Sequence, residues 1–138
     1  MKIKPFKFCG KQLGDGHSAY LVGEIGFNHN GDIELAKRMI ASAAENGADA
    51  VKLQTFVAGE MVSKSLIADD PDNPGNEIPF YEFFQRYEFS RSDYKILFAY
   101  AKTLNIPLFS TPFDEASLEM LVELGTPAIK IASPDLTY

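Results

Sequence analysis

Cysteine occurs once in this 138-residue chain, histidine twice and tryptophan not at all, and each scarcity closes off some chemistry. Cys9 alone cannot form an internal disulfide, which fits a reducing compartment, and as a lone residue in an expected strand it reads as packing. His17 and His29, outside any Cys/His spacing, cannot complete a metal site from nitrogen and sulfur ligands, although an oxygen-rich Mg²⁺ site stays open in principle. Positive charge is also short: 13 lysines and arginines against 19 acids leave a formal charge of −6. The basic face that nucleic acid requires is missing. No apolar run approaches the roughly 20 residues that cross a bilayer, and the opening Met1-Lys-Ile-Lys-Pro5 lacks a signal peptide's apolar segment. The expectation is a cytoplasmic protein with neither membrane nor nucleic acid as partner. With 46% hydrophobic and 23% charged residues, the chain can build one domain around a real core.

What the chain does have is one plan used four times. Tyr20-Leu-Val-Gly-Glu-Ile-Gly-Phe-Asn-His-Asn-Gly31 runs from an apolar strand into a glutamate and then a glycine- and asparagine-rich turn. Ala50-Val-Lys-Leu-Gln-Thr55, Pro107-Leu-Phe-Ser-Thr-Pro-Phe-Asp114 and Ala128-Ile-Lys-Ile-Ala-Ser133 are likewise apolar runs closing on polar groups. Between them lie helical patterns: from Asp32, a plausible N-cap, to a stop at Gly47; from Ser90 to Asn105; and from Asp114 to Gly125. Strand-helix repetition requires right-handed crossovers and a parallel sheet. A Gly-x-Gly-x-x-Gly after the first strand is lacking, which weakens a dinucleotide fold. Polar groups at all four strand ends favour a (β/α) barrel of TIM-barrel type, and four units are half of its usual eight. Gly14-Asp-Gly16 between Phe6-Lys-Phe-Cys-Gly10 and Ser18-Ala-Tyr-Leu-Val22 predicts a short hairpin, giving residues 1–18 as hairpin and 19–138 as half-barrel. The chain stops at Leu136-Thr-Tyr138, directly after the fourth strand, and so reads as truncated.

The segment from Phe56 to Ser90 breaks this rhythm with Asp69-Asp-Pro-Asp-Asn-Pro-Gly-Asn76 and then six aromatics, Phe80, Tyr81, Phe83, Phe84, Tyr87 and Phe89. Connections that long are usually functional or disordered, whereas aromatics at helical spacing are more often core than a ligand box.

Among the residues able to do chemistry, Lys52, Lys130, Thr111 and Ser133 lie in or at the ends of predicted strands. Two ammoniums with two hydroxyls suit the oxygens of a phosphate or carboxylate. The alternative is that each lysine pairs with a strand-end acid such as Glu24 as an internal salt bridge. Glu24 is a candidate general acid/base or sugar-hydroxyl acceptor. Gln54 offers a neutral amide for orienting a substrate. In Asn28-His29-Asn30-Gly31 the histidine reads as a structural hydrogen-bonder within a turn.

Taken together, Gly23-Glu-Ile-Gly-Phe-Asn-His-Asn-Gly31, Val51-Lys-Leu-Gln-Thr55, Pro74-Gly-Asn76, Phe109-Ser-Thr-Pro-Phe-Asp114 and Ile129-Lys-Ile-Ala-Ser133 resemble, in order, the sialic acid synthase family. Its members are N-acetylneuraminate synthases and relatives making legionaminic, pseudaminic and spore-coat sugars. The resemblance implies a TIM-barrel synthase that condenses phosphoenolpyruvate with an N-acylated hexosamine such as N-acetylmannosamine, releasing phosphate by C–O cleavage. By the same resemblance, Lys52, Thr111, Lys130 and Ser133 match phosphoenolpyruvate-binding positions and Glu24 the catalytic-site glutamate, with Lys52 and Lys130 counted as catalytic beside it. Gln54 and Phe113 would line the same pocket, and Asn76 matches a loop asparagine that contacts the amino sugar. Asp135 stands, behind Pro134, where the family continues with glycine and glutamate. A divalent metal, Mn or Mg, is implied, with its two histidine ligands absent from this chain; a homo-oligomer is implied as well. The alternatives are another phosphoenolpyruvate-dependent 3-deoxy-sugar acid synthase, a lysine Schiff-base aldolase, and a non-catalytic half-barrel acting as a binding or assembly module.

Overall fold

The computed structural model describes residues 4–137. The chain opens with β1 (Phe6–Phe8) and β2 (Lys11–Leu13), an antiparallel hairpin. Its turn is Cys9-Gly10, both at positive φ (44° and 88°), the backbone twist that a two-residue hairpin loop requires. This corrects the sequence reading. Gly14-Asp-Gly16 does turn, with the His17 N–H donating to the Gly14 carbonyl at 3.1 Å, but the stretch from Ser18 to Val22 does not pair with β1. Instead the Lys11 ammonium meets the Asp49 carboxylate at 2.6 Å, and Phe8 sets its ring edge-on to Tyr20 and Phe109. The hairpin is thereby tied to the N-terminal ends of the parallel strands.

Three parallel strands make the sheet: β3 (Val22–Gly26), β4 (Ala50–Thr55) and, after an intervening segment, β7 (Leu108–Pro112), in the order β3-β4-β7. The central strand β4 is covered on both sides, which is why it reads as an almost unbroken apolar run, with Ala50, Val51, Leu53 and Thr55 fully buried. Helix α1 (Ile33–Glu45) starts where expected, the Asp32 carboxylate accepting from the Glu34 and Leu35 N–H groups, and stops at Gly47 with φ +81°. Its Ala36 and Ile40 join Ile25, Val51, Leu53, Leu97, Ala101, Ile106 and Leu108 in the main core. Each of the leucine, isoleucine and valine side chains contributes roughly 1.5–3 kcal/mol on burial, and each alanine methyl less.

The irregular connection after β4 is more structured than the sequence suggested. It contains α2 (Ala58–Met61), an antiparallel hairpin of β5 (Ile67–Asp69) and β6 (Glu77–Pro79), and α3 (Phe80–Gln85). Its aromatics are core, as their spacing implied: Phe56, Ala58 and Phe84 form a second apolar cluster with Phe27, Phe80, Phe83 and Tyr87 around them, while Phe89 belongs to the main core. Helix α4 (Arg91–Thr103) begins with a capping box of Ser90 and Asp93. Helix α5 (Glu115–Glu123) is capped by Asp114 and ends before Gly125, φ +73°.

The fourth predicted strand is the second correction. Ala128–Ser133 contributes a single parallel bridge, Ser110 to Ile129, with the Lys130 N–H donating to the Ser110 carbonyl at 3.1 Å. Among the described residues this segment is paired on one side only, and Ile131 is 55% exposed. A one-sided ladder has little to extend it, so the segment runs beside β7 without becoming a full strand.

Candidate functional site

Side chains alternate across a strand, so the residues two apart on β4, Lys52 and Gln54, share the face opposite Val51, Leu53 and Thr55. Register brings neighbours to them. Glu24 of β3 lies opposite Lys52, and Thr111 of β7 lies opposite Gln54. The Lys52 ammonium is 2.8 Å from a Glu24 carboxylate oxygen and donates to the Thr111 hydroxyl at 3.3 Å and, at 3.4 Å, to the carbonyl of Leu53. Lys52 is 8% exposed and Thr111 is buried, whereas the Glu24 side chain is 48% exposed. The pair is therefore a nearly buried cation opening to water through its acid.

Gly26 shapes this arrangement. The pairing of β3 with β4 slips between Glu24 and Gly26, a bulge in which Gly26 takes φ +53°. A side chain there would come within 3.3 Å of the Glu24 carboxylate and 3.6 Å of the Gln54 amide nitrogen, so the glycine leaves both functional groups their room. On the other face, the Thr55 and Ser110 hydroxyls share a 2.7 Å hydrogen bond, and the Tyr94 hydroxyl of α4 donates to the Gln54 carbonyl at 3.0 Å. Burial pushes the Tyr94 phenol well above its ordinary range, so it stays a neutral donor holding the end of β4.

The turn after β3 is structural, as its sequence implied. The buried His29 ring stacks on Phe89 with centroids 4.1 Å apart, and its Nδ1 accepts from the Gly31 N–H at 3.1 Å. Burial lowers its pKa to about 4, so the ring is neutral near pH 7. Among the described residues no three His, Cys, Asp or Glu side chains converge on a metal site, and the Glu24 carboxylate is already paired. The described residues therefore do not fit the divalent cation as a complete ligand set.

The other candidates come from neighbouring segments, and the bridge of Ser110 to Ile129 sets Lys130 beside Thr111. Lys130, Ser133 and Asp135 are exposed on the one-sided segment beside β7 and on the 3₁₀ turn Pro134–Thr137. Phe113 is half-buried against the second apolar cluster, its N–H donating to the Thr55 carbonyl. Asn76 is exposed in the β5–β6 hairpin, its side-chain amide donating to the Asn73 carbonyl at 3.2 Å. Of the predicted set, Glu24, Lys52, Gln54 and Thr111 are thus brought together, and register places Lys130 beside Thr111. For Lys52 the salt bridge foreseen as the alternative to an anion is the contact observed.

Sequence reasoning missed the network around Asp70. This acid is 2% exposed, and both its oxygens meet Arg86, at 2.9 and 3.0 Å. Arg86 also meets Asp72 at 2.8 Å, and the Tyr87 hydroxyl donates to Asp72 at 2.7 Å. The acid-rich run was visible, but nothing local signals an arginine 16 residues away.

Comparison with known proteins gives this geometry its context. The chain is 38% identical, over 92% of its length, to N,N'-diacetyllegionaminic acid synthase of Legionella pneumophila, of which it covers 36%. It is 35% identical, over 91% of its length, to N-acetylneuraminate-9-phosphate synthase of Mus musculus, of which it covers 35%. The chain thus spans about a third of the length of these curated relatives. Among solved structures, the N-acetylneuraminic acid (sialic acid) synthetase of Leptospira borgpetersenii superposes with a TM-score of 0.81 at 29% identity, covering 97% of this chain and 43% of that one. The spore coat polysaccharide biosynthesis protein SpsE of Bacillus subtilis gives 0.69 at 32% identity, covering 94% and 34%. The mixed α/β fold therefore resembles the N-terminal part of a sialic acid synthetase. The NeuB family matches residues 39–138, and the chain belongs to that family.

Proposed function

We propose that this chain carries part of the site of a synthase that joins phosphoenolpyruvate to an N-acylated hexosamine, and that its sheet is the first part of a (β/α) TIM-type barrel. The observation that carries the reading is the cluster of Lys52, Glu24 and Thr111 at one face of three adjacent parallel strands, a nearly buried ammonium opening to solvent. In this reading Lys52 and Thr111, joined by Lys130 and Ser133 from the neighbouring segment, hold the phosphate and carboxylate of phosphoenolpyruvate. Gln54, Phe113, Asn76 and Asp135 contact the amino sugar or line its pocket.

The reaction forms a carbon–carbon bond between C3 of phosphoenolpyruvate and the aldehyde carbon of the open-chain sugar. Water then adds to C2, and phosphate leaves by C–O cleavage. The chain's own contribution is positioning and charge neutralisation: an ammonium in a partly dehydrated setting binds an anion more strongly than one in water. Glu24 is our candidate for the base that takes the proton water gives up at C2, its ammonium partner being free to turn to the substrate anion. The divalent cation, Mn or Mg, belongs to this proposal with ligands outside the described residues, and no step above passes through it. A cytoplasmic homo-oligomer completes the reading; among the described residues no helix is long and apolar enough to cross a membrane.

One observation favours a second reading. Lys52 is already paired with Glu24, so the cluster can stand without an anion as part of a non-catalytic binding or assembly module. Calorimetric titration of the chain with phosphoenolpyruvate, beside Lys52→Met and Lys130→Ala, separates the two. Saturable binding lost in the variants supports the synthase; a folded chain that binds none makes the module the better description. Borohydride trapping of a pyruvyl adduct on Lys52 or Lys130 would instead point to a Schiff-base aldolase.

A further inference from the structure

We infer that Arg86 is a positioning residue that holds the 69–76 loop in the shape needed for the amino-sugar acceptor, an inference that rests on assigning Asn76 to that sugar. Residues 71–76 are all exposed, yet Asp70 in the same loop is almost fully buried. A buried carboxylate is costly unless its oxygens are satisfied by charge and hydrogen bonds. Asp70 is satisfied throughout: Arg86 takes both oxygens as a planar fork, Asn73 donates to one at 3.1 Å, and the Asp72 N–H donates to the other at 3.0 Å. The Arg86 fork also holds its carboxyl down at a pKa of about 2. The backbone N–H of Asp70 donates to the Asn76 carbonyl at 2.8 Å, so the anchored acid fixes the asparagine directly.

Arg86 works in a second direction. Its backbone carbonyl lies so close to Gly31 that a Cβ on that residue would sit 2.3 Å from the oxygen. Gly31 belongs to the turn leaving the Glu24 end of β3, and the 56–90 connection leaves the Gln54 end of β4. One residue thus braces the acceptor loop against the end of the sheet where Glu24, Lys52 and Gln54 meet. Only an arginine does this, because its fork engages Asp70 with two nitrogens while reaching Asp72, and a lysine offers a single point charge.

The test is binding of N-acetylmannosamine, followed by calorimetry or ligand-observed NMR, with phosphoenolpyruvate titrated in parallel. The unsubstituted chain is compared with Arg86→Gln, Arg86→Lys and Asp72→Asn, each first checked for folding by circular dichroism. Loosening the loop so that a tenth of the molecules are competent weakens the sugar about tenfold in Arg86→Gln. Phosphoenolpyruvate affinity should stay within about twofold, since the donor groups share no partner with Arg86. Arg86→Lys should recover only part of the loss. Asp72→Asn keeps the buried Asp70–Arg86 pair and therefore folds; losing the half-exposed contact weakens the sugar about two- to threefold. If Arg86→Gln binds the sugar as tightly as the unsubstituted chain, the inference is overturned; where it fails to fold, unchanged affinity in Asp72→Asn overturns it. If both ligands weaken equally, Arg86 is a general stabiliser and the positioning role fails. If the unsubstituted chain takes up no sugar, the inference falls together with the Asn76 assignment, and the phosphoenolpyruvate titration shows whether the donor half of the reading survives.

Discussion

Acidification should destabilise this protein through His29. The ring is 1% exposed, stacked on Phe89, and uses Nδ1 to accept from the Gly31 N–H. A proton on Nδ1 would replace that acceptor with a second donor and place a charge against an aromatic face. Burial accordingly lowers the pKa from 6.5 to about 4. Because the folded value lies below the unfolded one, the stability is fully present above about pH 6.5 and is lost as pH falls towards about 4, where the unfolded chain alone takes up the proton. The full shift corresponds to about 2 kcal/mol lost at pH 5 relative to pH 8. With Asn28 and Asn30 exposed on either side, solvent relaxation should reduce that to about 1–1.5 kcal/mol. The assay is urea unfolding between pH 8 and pH 5 of the unsubstituted chain and His29→Gln, which keeps an acceptor but does not titrate. Taking the difference cancels every contribution common to the two proteins. The unsubstituted chain should lose about 1–1.5 kcal/mol more than the variant over this range; parallel pH profiles would refute the reasoning.

The same geometry sets two more outcomes. Gly31→Ala combines a φ of +71° with a Cβ driven against the Arg86 carbonyl, and should cost about 3 kcal/mol in chemical denaturation. A cost below about 1 kcal/mol would mean that the close approach relaxes freely. Lys52→Met keeps the buried stem and removes an ammonium whose partner is half exposed, so stability should change by no more than about 1 kcal/mol. A loss of about 3 kcal/mol or more would instead mark Lys52–Glu24 as a scaffold ion pair.

Local chemistry was legible in the chain. Asp32, Ser90 and Asp114 cap helices because a short polar side chain can satisfy N–H groups that no helix satisfies for itself. Gly47 and Gly125 stop helices because they accept a left-handed backbone. The buried runs around Val51 and Leu108 announced parallel strands, and the motifs ending them announced the family. What the chain could not announce depended on which strand or loop lies beside which. The first hairpin closes at Cys9-Gly10 although cysteine rarely adopts positive φ, because the pairing of β1 with β2 holds it there. Lys130 sits on a segment that needs a neighbour to become a strand, and among the described residues it has one on one side only. Lys52 carried two readings, anion site or salt bridge. Register supplied the salt-bridge contact, since Glu24 faces Lys52 only when β3 and β4 align as they do. Arg86 and Asp70 show the same limit most plainly: sequence states that both charges exist, and only the folding of α3 back over the loop brings them within hydrogen-bonding distance.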